Sequence, residues 1–359
     1  MSRRAYIDWV RGLAVVVMME WHVIDSWSVS DGRDSTAFAW ITFIGGWAAP
    51  MFLYLAGVSV ALAASTRMAR GLDLRAASWA VQQRGWQIFG VAHLFRLQSY
   101  LMSRGSSWTS LFKPDILNIL GLGMVAAAFC WGRSGSRLGR AIWLAAPGIA
   151  VVLLSPGSRL WAWPSLLPVR LEAYIRPVGH AGVFQVFPSL AYVLFGACVG
   201  AFVAERRDTS REPRFHVWLG ASGLALAGAG AAGTMLPAPT PTSEFWTTSL
   251  SLVLMRTGAM TAMLAGAWLW MRRPTAAHWS PFVLLGRTSL FVYWVHVELA
   301  YGVLSGPIHH TMPLPAAVVA YAALVAVMTA AAAWWIQWTP PRLAALVPVR
   351  AQSSLRPRP

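Results

Sequence analysis

The chain has 359 residues, of which 57% are hydrophobic and only 12% are charged, and its formal net charge is +16. Soluble globular domains contain about 25% charged residues, so this composition excludes an ordinary soluble protein and indicates a membrane protein. The Arg residues are spread between long apolar runs. They are therefore expected in loops that flank a lipid bilayer, and nucleic acid is not expected as a partner.

Apolar runs of the length that a membrane span needs, about 20 residues, follow one another along most of the chain. They predict an all-α polytopic membrane protein, with a single domain of ten transmembrane helices over residues 1–340. A short, basic and disordered cytoplasmic tail is predicted over residues 341–359. The predicted spans are residues 5–27, 37–64, 77–102, 114–132, 139–155, 181–204, 215–236, 249–271, 281–304 and 315–338.

The charges of the predicted loops indicate the orientation of the chain. One set of alternate loops, taken with both termini, carries 18 Lys and Arg residues, and the other set carries 6. Cytoplasmic loops are enriched in Lys and Arg, so both termini are predicted to lie in the cytoplasm. Cys130 and Cys198 fall inside apolar runs and are expected to be small core residues. His309 and His310 have no evident third ligand, so no metal site is expected.

Ionisable side chains inside the predicted spans are the main functional signal. An ionised group at the bilayer centre costs about 2.5–3.5 kcal/mol, so these side chains are expected to face a central polar cavity within the helix bundle. They are Arg11, Arg84, Arg96, Arg256 and Arg287, together with Asp8, Glu20, Asp25, Glu298, His22, His93 and His296.

The first span arranges its charged residues as one stripe. At 100° per residue, Asp8, Arg11, His22 and Asp25 fall within an arc of about 100°. Arg11 and His22 lie about 16 Å apart along the helix axis, with Arg11 near the cytoplasm. Asp25 is three residues after His22 and could orient its imidazole, which would be the base and orienting group of an acyl transfer. The alternative is a buried ion-pair network that pins helices together.

The ninth span carries a second set of polar residues. Ser289, Tyr293 and His296 share one helix face, and Arg287 and Glu298 lie on the opposite face. A histidine in this position could take part in catalysis. The alternative is a structural histidine whose hydrogen bonds are satisfied by a neighbouring helix.

Four further residues have both a functional and a structural interpretation. Arg84 could bind a cytoplasmic phosphate, or its side chain could extend to lipid headgroups. Asp115 could bind substrate, but its place at a helix start favours a capping role. Trp161 and Trp163 could form a platform for a sugar, or belong to the aromatic belt at the membrane interface.

Four segments resemble a known family. RRAYIDWVRGLAVVVMMEWHV at the N-terminus resembles the first span of transmembrane acyltransferases, in which Ile-Asp-x-x-Arg-Gly is followed by a histidine eleven residues after the Arg. The later blocks are GGWAAPMFLYLAGVSVALA, PDILNILGL and LLGRTSLFVYWVHVEL. The chain is most similar to bacterial proteins grouped with heparan-α-glucosaminide N-acetyltransferase, and more distantly to the polysaccharide O-acetylases of acyltransferase family 3. Those O-acetylases often carry two arginines on the third span, where only Arg84 fits here.

The resemblance implies that an acetyl group moves from cytoplasmic acetyl-CoA to a sugar or glycan beyond the membrane, here the bacterial inner membrane. His22 would be the catalytic histidine, as general base or acetyl carrier, and Arg11 would lie on the path of the coenzyme. The lipid bilayer is the other expected partner, and a homodimer is left open. No metal is expected. The full assignment is catalytic His22, Asp25 and His296, coenzyme-binding Arg11, Asp8, Arg84 and Arg287, and acceptor-binding Asp115, Trp161, Trp163, Tyr293 and Glu298.

Two other classes of protein could use the same residues. A proton-coupled secondary transporter could employ the buried charges as a proton relay, but the sequence shows no inverted repeat and no matched pair of broken helices. A membrane scaffold without catalytic activity is the third class, and it leaves the cost of the buried charges unexplained.

Overall fold

A computed structural model describes residues 4–29, 33–102, 107–179, 181–206, 210–237, 243–273 and 279–338. This part of the chain is built of α-helices, with three short 3-10 segments and one isolated backbone bridge, between Ser28 and Met312. The all-α prediction is therefore confirmed for these residues, whereas the predicted tail at 341–359 lies outside them. The helices are α1 (Ala5–Trp27), α2 (Thr36–Gly45), α3 (Ala48–Met68), α4 (Leu74–Met102), α5 (Ile116–Trp131), α6 (Arg137–Ser158), α7 (Val169–Glu172), α8 (Val186–Glu205), α9 (Glu212–Gly233), α10 (Phe245–Thr248), α11 (Leu250–Trp270), α12 (Pro281–Arg287), α13 (Ser289–Tyr301) and α14 (Leu314–Trp338).

Most of the predicted spans are helices that are long and apolar enough to cross a membrane. Within the described residues seven helical stretches meet this condition, and the bent pair α12–α13 would raise the number to eight. Helices α1 and α4 have 23 and 29 residues, which is sufficient length, but they are more polar. In α4 this polarity comes from four glutamines and three arginines. The chain is thus a multi-pass membrane protein, and the count of ten spans stays a prediction.

Two predicted spans are broken helices in the structure. The span predicted at 37–64 is divided into α2 and α3 by a turn at Gly46 and Trp47. The span predicted at 281–304 bends by 89° between α12 and α13. At that bend Thr288 has φ −104° and ψ 16°, outside the helical region, and its Oγ1 donates to the carbonyl of Leu284 at 3.0 Å. Hydropathy averaged over a whole span does not reveal such breaks, because most residues of the two segments are apolar, even though Arg287 directly precedes Thr288.

The described helices belong to two compact units. The first consists of Met1–Ala48 and Ala267–Pro359, and the second of Ala49–Gly266. The sequence predicts one domain over 1–340, and that range includes residues of both units.

In the first unit α1 packs against α12, α13 and α14. Two glycines bring α1 and α12 close together. A Cβ atom added to Gly12 would overlap the carbonyl oxygen of Phe282, and one added to Gly286 would overlap the carbonyl oxygen of Asp8. Small residues allow membrane helices to approach this closely, because helix association in lipid depends on van der Waals packing and not on the hydrophobic effect. The glycine of the Arg-Gly pair at residues 11–12 thus has a packing role.

Replacement of Gly12 by Leu is expected to destabilise the protein, because the new side chain has no room at the α1–α12 crossing. Overpacking of this kind typically costs about 1–3 kcal/mol, so the unfolding temperature of the purified protein in detergent should fall. The matched control is Gly266→Leu, because a Cβ atom at Gly266 would meet no other atom within 4 Å. Equal unfolding temperatures for Gly12→Leu and Gly266→Leu would contradict the proposed packing.

The second unit uses the same kind of close contact. A Cβ atom on Gly57 of α3 would overlap the carbonyl oxygen of Val193 in α8, and one on Gly196 would overlap that of Tyr54. The buried Tyr54 hydroxyl also lies 2.7 Å from Thr261 Oγ1 in α11. These contacts join α3, α8 and α11 into the interior of the unit.

Candidate active site

The centre of the candidate site is a pair of histidines in the first unit. His22 Nδ1 of α1 lies 2.9 Å from His296 Nε2 of α13, and the two ring planes differ by only 5°. His296 is fully buried, whereas His22 is partly exposed. Four residues further along each helix, Ser26 Oγ donates to the carbonyl of Ala300 at 2.6 Å. Both contacts join residues 274 positions apart, so α13 runs in the same direction as α1 here.

The hydrogen bonds of this pair decide where its protons lie. His296 Nδ1 is 2.6 Å from the carbonyl oxygen of Val292, and a carbonyl can only accept, so Nδ1 carries the proton. Burial disfavours a charged His296, and a neutral imidazole then has its lone pair on Nε2. That lone pair accepts the proton of His22 Nδ1. His22 is thereby left with an unprotonated Nε2.

An imidazole nitrogen with a free lone pair, on a residue that is partly exposed, can perform two kinds of chemistry. It can take a proton from an attacking hydroxyl or amine, or it can itself attack an acyl carbon. Its orientation is maintained by the bond between His22 Nδ1 and His296 Nε2. Within the described ranges no group of three His, Cys, Asp or Glu side chains comes together as metal ligands.

The position of Asp25 differs from the expected one. Its Oδ2 accepts a hydrogen bond from the Tyr301 hydroxyl at 3.0 Å, and its Oδ1 lies 3.7 Å from Arg33 Nη1. His22 Nδ1 instead faces His296, so the orienting bond comes from a histidine and not from the carboxylate predicted to supply it. The physical reason is that α13 brings His296 against the same face of α1 and occupies the nitrogen that Asp25 would need.

The other end of the α1 stripe contains an ion pair. Arg11 Nη1 lies 2.9 Å from Asp8 Oδ1, and the Asp8 side chain is almost completely buried. Arg287 is the last residue of α12 and directly follows Gly286, which touches the backbone of Asp8. Two arginines and one carboxylate therefore belong to the α1–α12 packing region. This arrangement is compatible with anion binding and also with the structural ion-pair interpretation.

Four of the predicted site residues belong to the second unit, and the first two along the chain are Arg84 and Asp115. Arg84 lies on α4, where its Nη1 donates to Gln87 Oε1 at 3.1 Å. Asp115 caps α5: its Oδ1 accepts from the amide of Leu117 at 3.0 Å, and its Oδ2 forms a 2.9 Å ion pair with Arg96. The capping interpretation of Asp115 is therefore confirmed, and its carboxylate already has two partners.

The predicted aromatic platform is a real pair of rings in the second unit. The ring centroids of Trp161 and Trp163 are 6.0 Å apart with planes at 26°, and Trp163 is half exposed. The Trp161 carbonyl accepts a hydrogen bond from Arg176 Nη1 at 2.6 Å, and Arg176 also pairs with Glu172. These bonds hold the segment that presents the two rings, so a sugar platform and an interfacial belt are both compatible with the geometry.

Tyr293 and Glu298 occupy different faces of α13. Tyr293 is buried, with its ring centroid 6.0 Å from that of His296, so it belongs to the packing around the histidine pair. Glu298 is partly exposed and lies away from the buried face that contains His296. Of these two residues, only Tyr293 adjoins the candidate site.

Two residues next to the site were not predicted from the sequence. Tyr301 ends α13, and Arg33 lies in the segment between α1 and α2; both contact Asp25. Tyr301 is five residues after His296 and hence about 140° away from it around the helix, so helical periodicity alone would not group the two. The contact between Tyr301 and Asp25 joins residues 276 positions apart and depends on the packing of α13 against α1, so no local sequence signal could have found it.

One family model matches the chain. It is described as heparan-alpha-glucosaminide N-acetyltransferase, catalytic, and it matches residues 3–230. That range includes all of α1, with His22 and Asp25, whereas α12 and α13 lie beyond it. No curated protein matches the chain significantly. Because the match covers more than half of the chain, the protein belongs to the heparan-alpha-glucosaminide N-acetyltransferase family and is a membrane acetyltransferase.

Proposed function

We propose that the protein moves an acetyl group from cytoplasmic acetyl-CoA to an amine or hydroxyl of a sugar acceptor at the extracytoplasmic face. The observation that supports this most strongly is the His22–His296 pair, since it leaves a basic nitrogen on a partly exposed residue of α1, the first predicted span. The inward orientation of Arg11 and the outward position of His22 follow from the loop charges. A bacterial inner-membrane location is part of the same proposal.

Arg11, Asp8 and Arg287 would lie where the phosphates of coenzyme A enter from the cytoplasm. Guanidinium groups suit this role because they form bidentate, charge-assisted hydrogen bonds with phosphate. The thin arm of the coenzyme would then follow α1 over the roughly 16 Å to His22. The predicted phosphate contact of Arg84, which belongs to the second unit, stays a separate prediction.

In the direct route His22 acts as general base. Its Nε2 removes the proton from the acceptor amine or hydroxyl while that group attacks the carbonyl carbon of the thioester. The carbon–sulfur bond then breaks, and the coenzyme A thiolate takes the proton from the imidazolium. During this step Nδ1–H stays bonded to His296 Nε2, which stabilises the positive charge on His22.

In the second route His22 acts as acetyl carrier. Its Nε2 attacks the thioester, and the thiolate leaves with a proton drawn from solvent, so that the acetyl group is bound to the imidazole. The acceptor then attacks this acyl carbon and releases a proton, and Nε2 regains its lone pair. His296 has the same orienting role in both routes.

Membrane vesicles provide the test. Inside-out vesicles with an α-glucosaminide trapped in the lumen should acetylate it when labelled acetyl-CoA is added outside. Right-side-out vesicles given acetyl-CoA outside should not, because the coenzyme site faces the cytoplasm. If inside-out vesicles neither bind the coenzyme nor remove its acetyl group, the acyltransferase proposal is refuted. Proton flux without acetyl transfer would favour the transporter alternative.

A further inference from the structure

Asp25, Arg33 and Tyr301, together called the Asp25 cluster, surround one carboxylate at the C-terminal end of α1. The Tyr301 hydroxyl donates to Asp25 Oδ2 at 3.0 Å. Arg33 approaches from the other side: its Nη2 donates to the Asp25 backbone carbonyl at 2.8 Å, and its Nη1 lies 3.7 Å from Oδ1. The three side chains come from two helices and a connecting segment, so tertiary packing brings them together.

The cluster adjoins the reactive histidine. The Tyr301 ring meets the His22 ring edge-on, with centroids 5.3 Å apart. Asp25 and His22 are separated by three residues of one helix, which places their Cβ atoms about 5–6 Å apart. A molecule that reaches His22 from the extracytoplasmic side would therefore pass these side chains.

The cluster is open to the surface and only partly satisfied. Tyr301 is 41% exposed, and the side chains of Asp25 and Arg33 are 33% and 35% exposed. A carboxylate can accept about four hydrogen bonds, and the Tyr301 hydroxyl and the distant Arg33 leave much of this capacity unused. Arg33 Nε is shielded from solvent and has no hydrogen-bond partner among the described residues. The ion pair between Asp25 and Arg33 is exposed and long, so it contributes little to folding stability. A purely structural role therefore does not account for the cluster.

We propose that the Asp25 cluster binds the acceptor, as a recognition site for a sugar ring that carries hydroxyl or amine donors. Asp25 accepts hydrogen bonds from those donors, Arg33 donates to an oxygen of the sugar, and the Tyr301 hydroxyl orients the carboxylate by donating to Asp25 Oδ2. One carboxylate and one guanidinium give no net charge, so recognition depends on hydrogen-bond geometry. This inference rests on the proposed function and names Asp25 and Arg33 as acceptor-binding residues and Tyr301 as the residue that positions Asp25.

The test separates acceptor binding from catalysis. Binding of an α-glucosaminide is measured by calorimetry without acetyl-CoA, and KM values for both substrates are measured for the wild type and for Tyr301→Phe, Arg33→Gln and Asp25→Asn. Loss of one charged hydrogen bond should raise Kd and KM for the glucosaminide about tenfold. The KM for acetyl-CoA should stay within about twofold. The control is Tyr321→Phe, which removes a hydroxyl that contacts the α1 carbonyl of Val16.

The binding and transfer measurements distinguish failure of the acceptor-site inference from failure of the proposed function. Variants that bind and use the glucosaminide like the wild type would overturn the inference while leaving the proposed function intact. If the wild type binds the glucosaminide more tightly than the variants do and yet transfers no acetyl group, that result would support acceptor binding by the cluster and refute the proposed function. Wild type that neither binds nor acetylates it would refute both. Equal losses in Tyr321→Phe and Tyr301→Phe would show that the effect is structural, and would also overturn the inference.

Discussion

Replacement of His22 by Gln is expected to lower the rate of acetyl transfer about 10²–10⁴-fold, the usual contribution of a positioned general base. Gln keeps a polar group close to the place of the imidazole Nε2, but it cannot take up a proton or carry an acetyl group. Binding of acetyl-CoA should persist, because the arginines proposed to hold the coenzyme lie about 16 Å away along α1. Single-turnover transfer of labelled acetyl groups and equilibrium binding of acetyl-CoA measure the two effects separately.

His216→Gln is the matched control for this substitution. His216 is a buried histidine of the second unit, and its Nδ1 lies 3.0 Å from the carbonyl of Glu212 one helical turn earlier. Its replacement should leave the transfer rate within about threefold of the wild type, since a single-residue structural change of this kind acts mainly on stability. If the activity of His22→Gln is within tenfold of that of the wild type, His22 is not the reacting residue.

Replacement of His296 by Phe is expected to lower kcat about 100-fold or more, although His296 itself does not touch the substrate. Phe fills the same volume but cannot accept the Nδ1 proton of His22. The His22 imidazole would then be free to carry its proton on Nε2, which removes the lone pair that the reaction needs. The KM for acetyl-CoA should change little, because the contacts proposed for the coenzyme are unaffected.

His296→Gln separates orientation from packing. The Oε1 atom of Gln can lie near the place of the imidazole Nε2 and accept the same hydrogen bond, so this variant should retain at least about tenfold more activity than His296→Phe. The comparison needs kcat values over a range of pH, since a tautomer defect lowers the plateau of the profile. Equal activity of the Phe and Gln variants would show that His296 contributes packing only and does not orient His22.

Much of the helical architecture could be predicted from the sequence, because hydrophobic length and the placement of Arg in loops are local properties. The stripe on the first span is such a property, since helical geometry alone brings Asp8, Arg11, His22 and Asp25 to one side. The Asp8–Arg11 ion pair follows from the same spacing. The capping role of Asp115 was also predictable, because it depends only on the residue that begins the helix.

The breaks in the helices were not predictable from hydropathy. At Thr288 the chain leaves the helical conformation without a proline at the break, and α12 and α13 diverge by 89°. The turn between α2 and α3 contains Gly46 and Trp47, which are apolar enough to continue a hydrophobic run. A helix break within a hydrophobic run leaves the composition of that run unchanged.

The sequence by itself determined that His22 lies on a polar face of the first helix, eleven residues after Arg11, and the loop charges predict that Arg11 is the more cytoplasmic of the two. It did not determine the partner of that histidine. Asp25 was the nearest candidate along the chain, but the register between α1 and α13 brings His296 to His22 and turns Asp25 towards Tyr301 and Arg33. That register depends on tertiary packing between residues 274 positions apart, including the close backbone approach at the Gly12–Gly286 crossing, and no local sequence pattern specifies it.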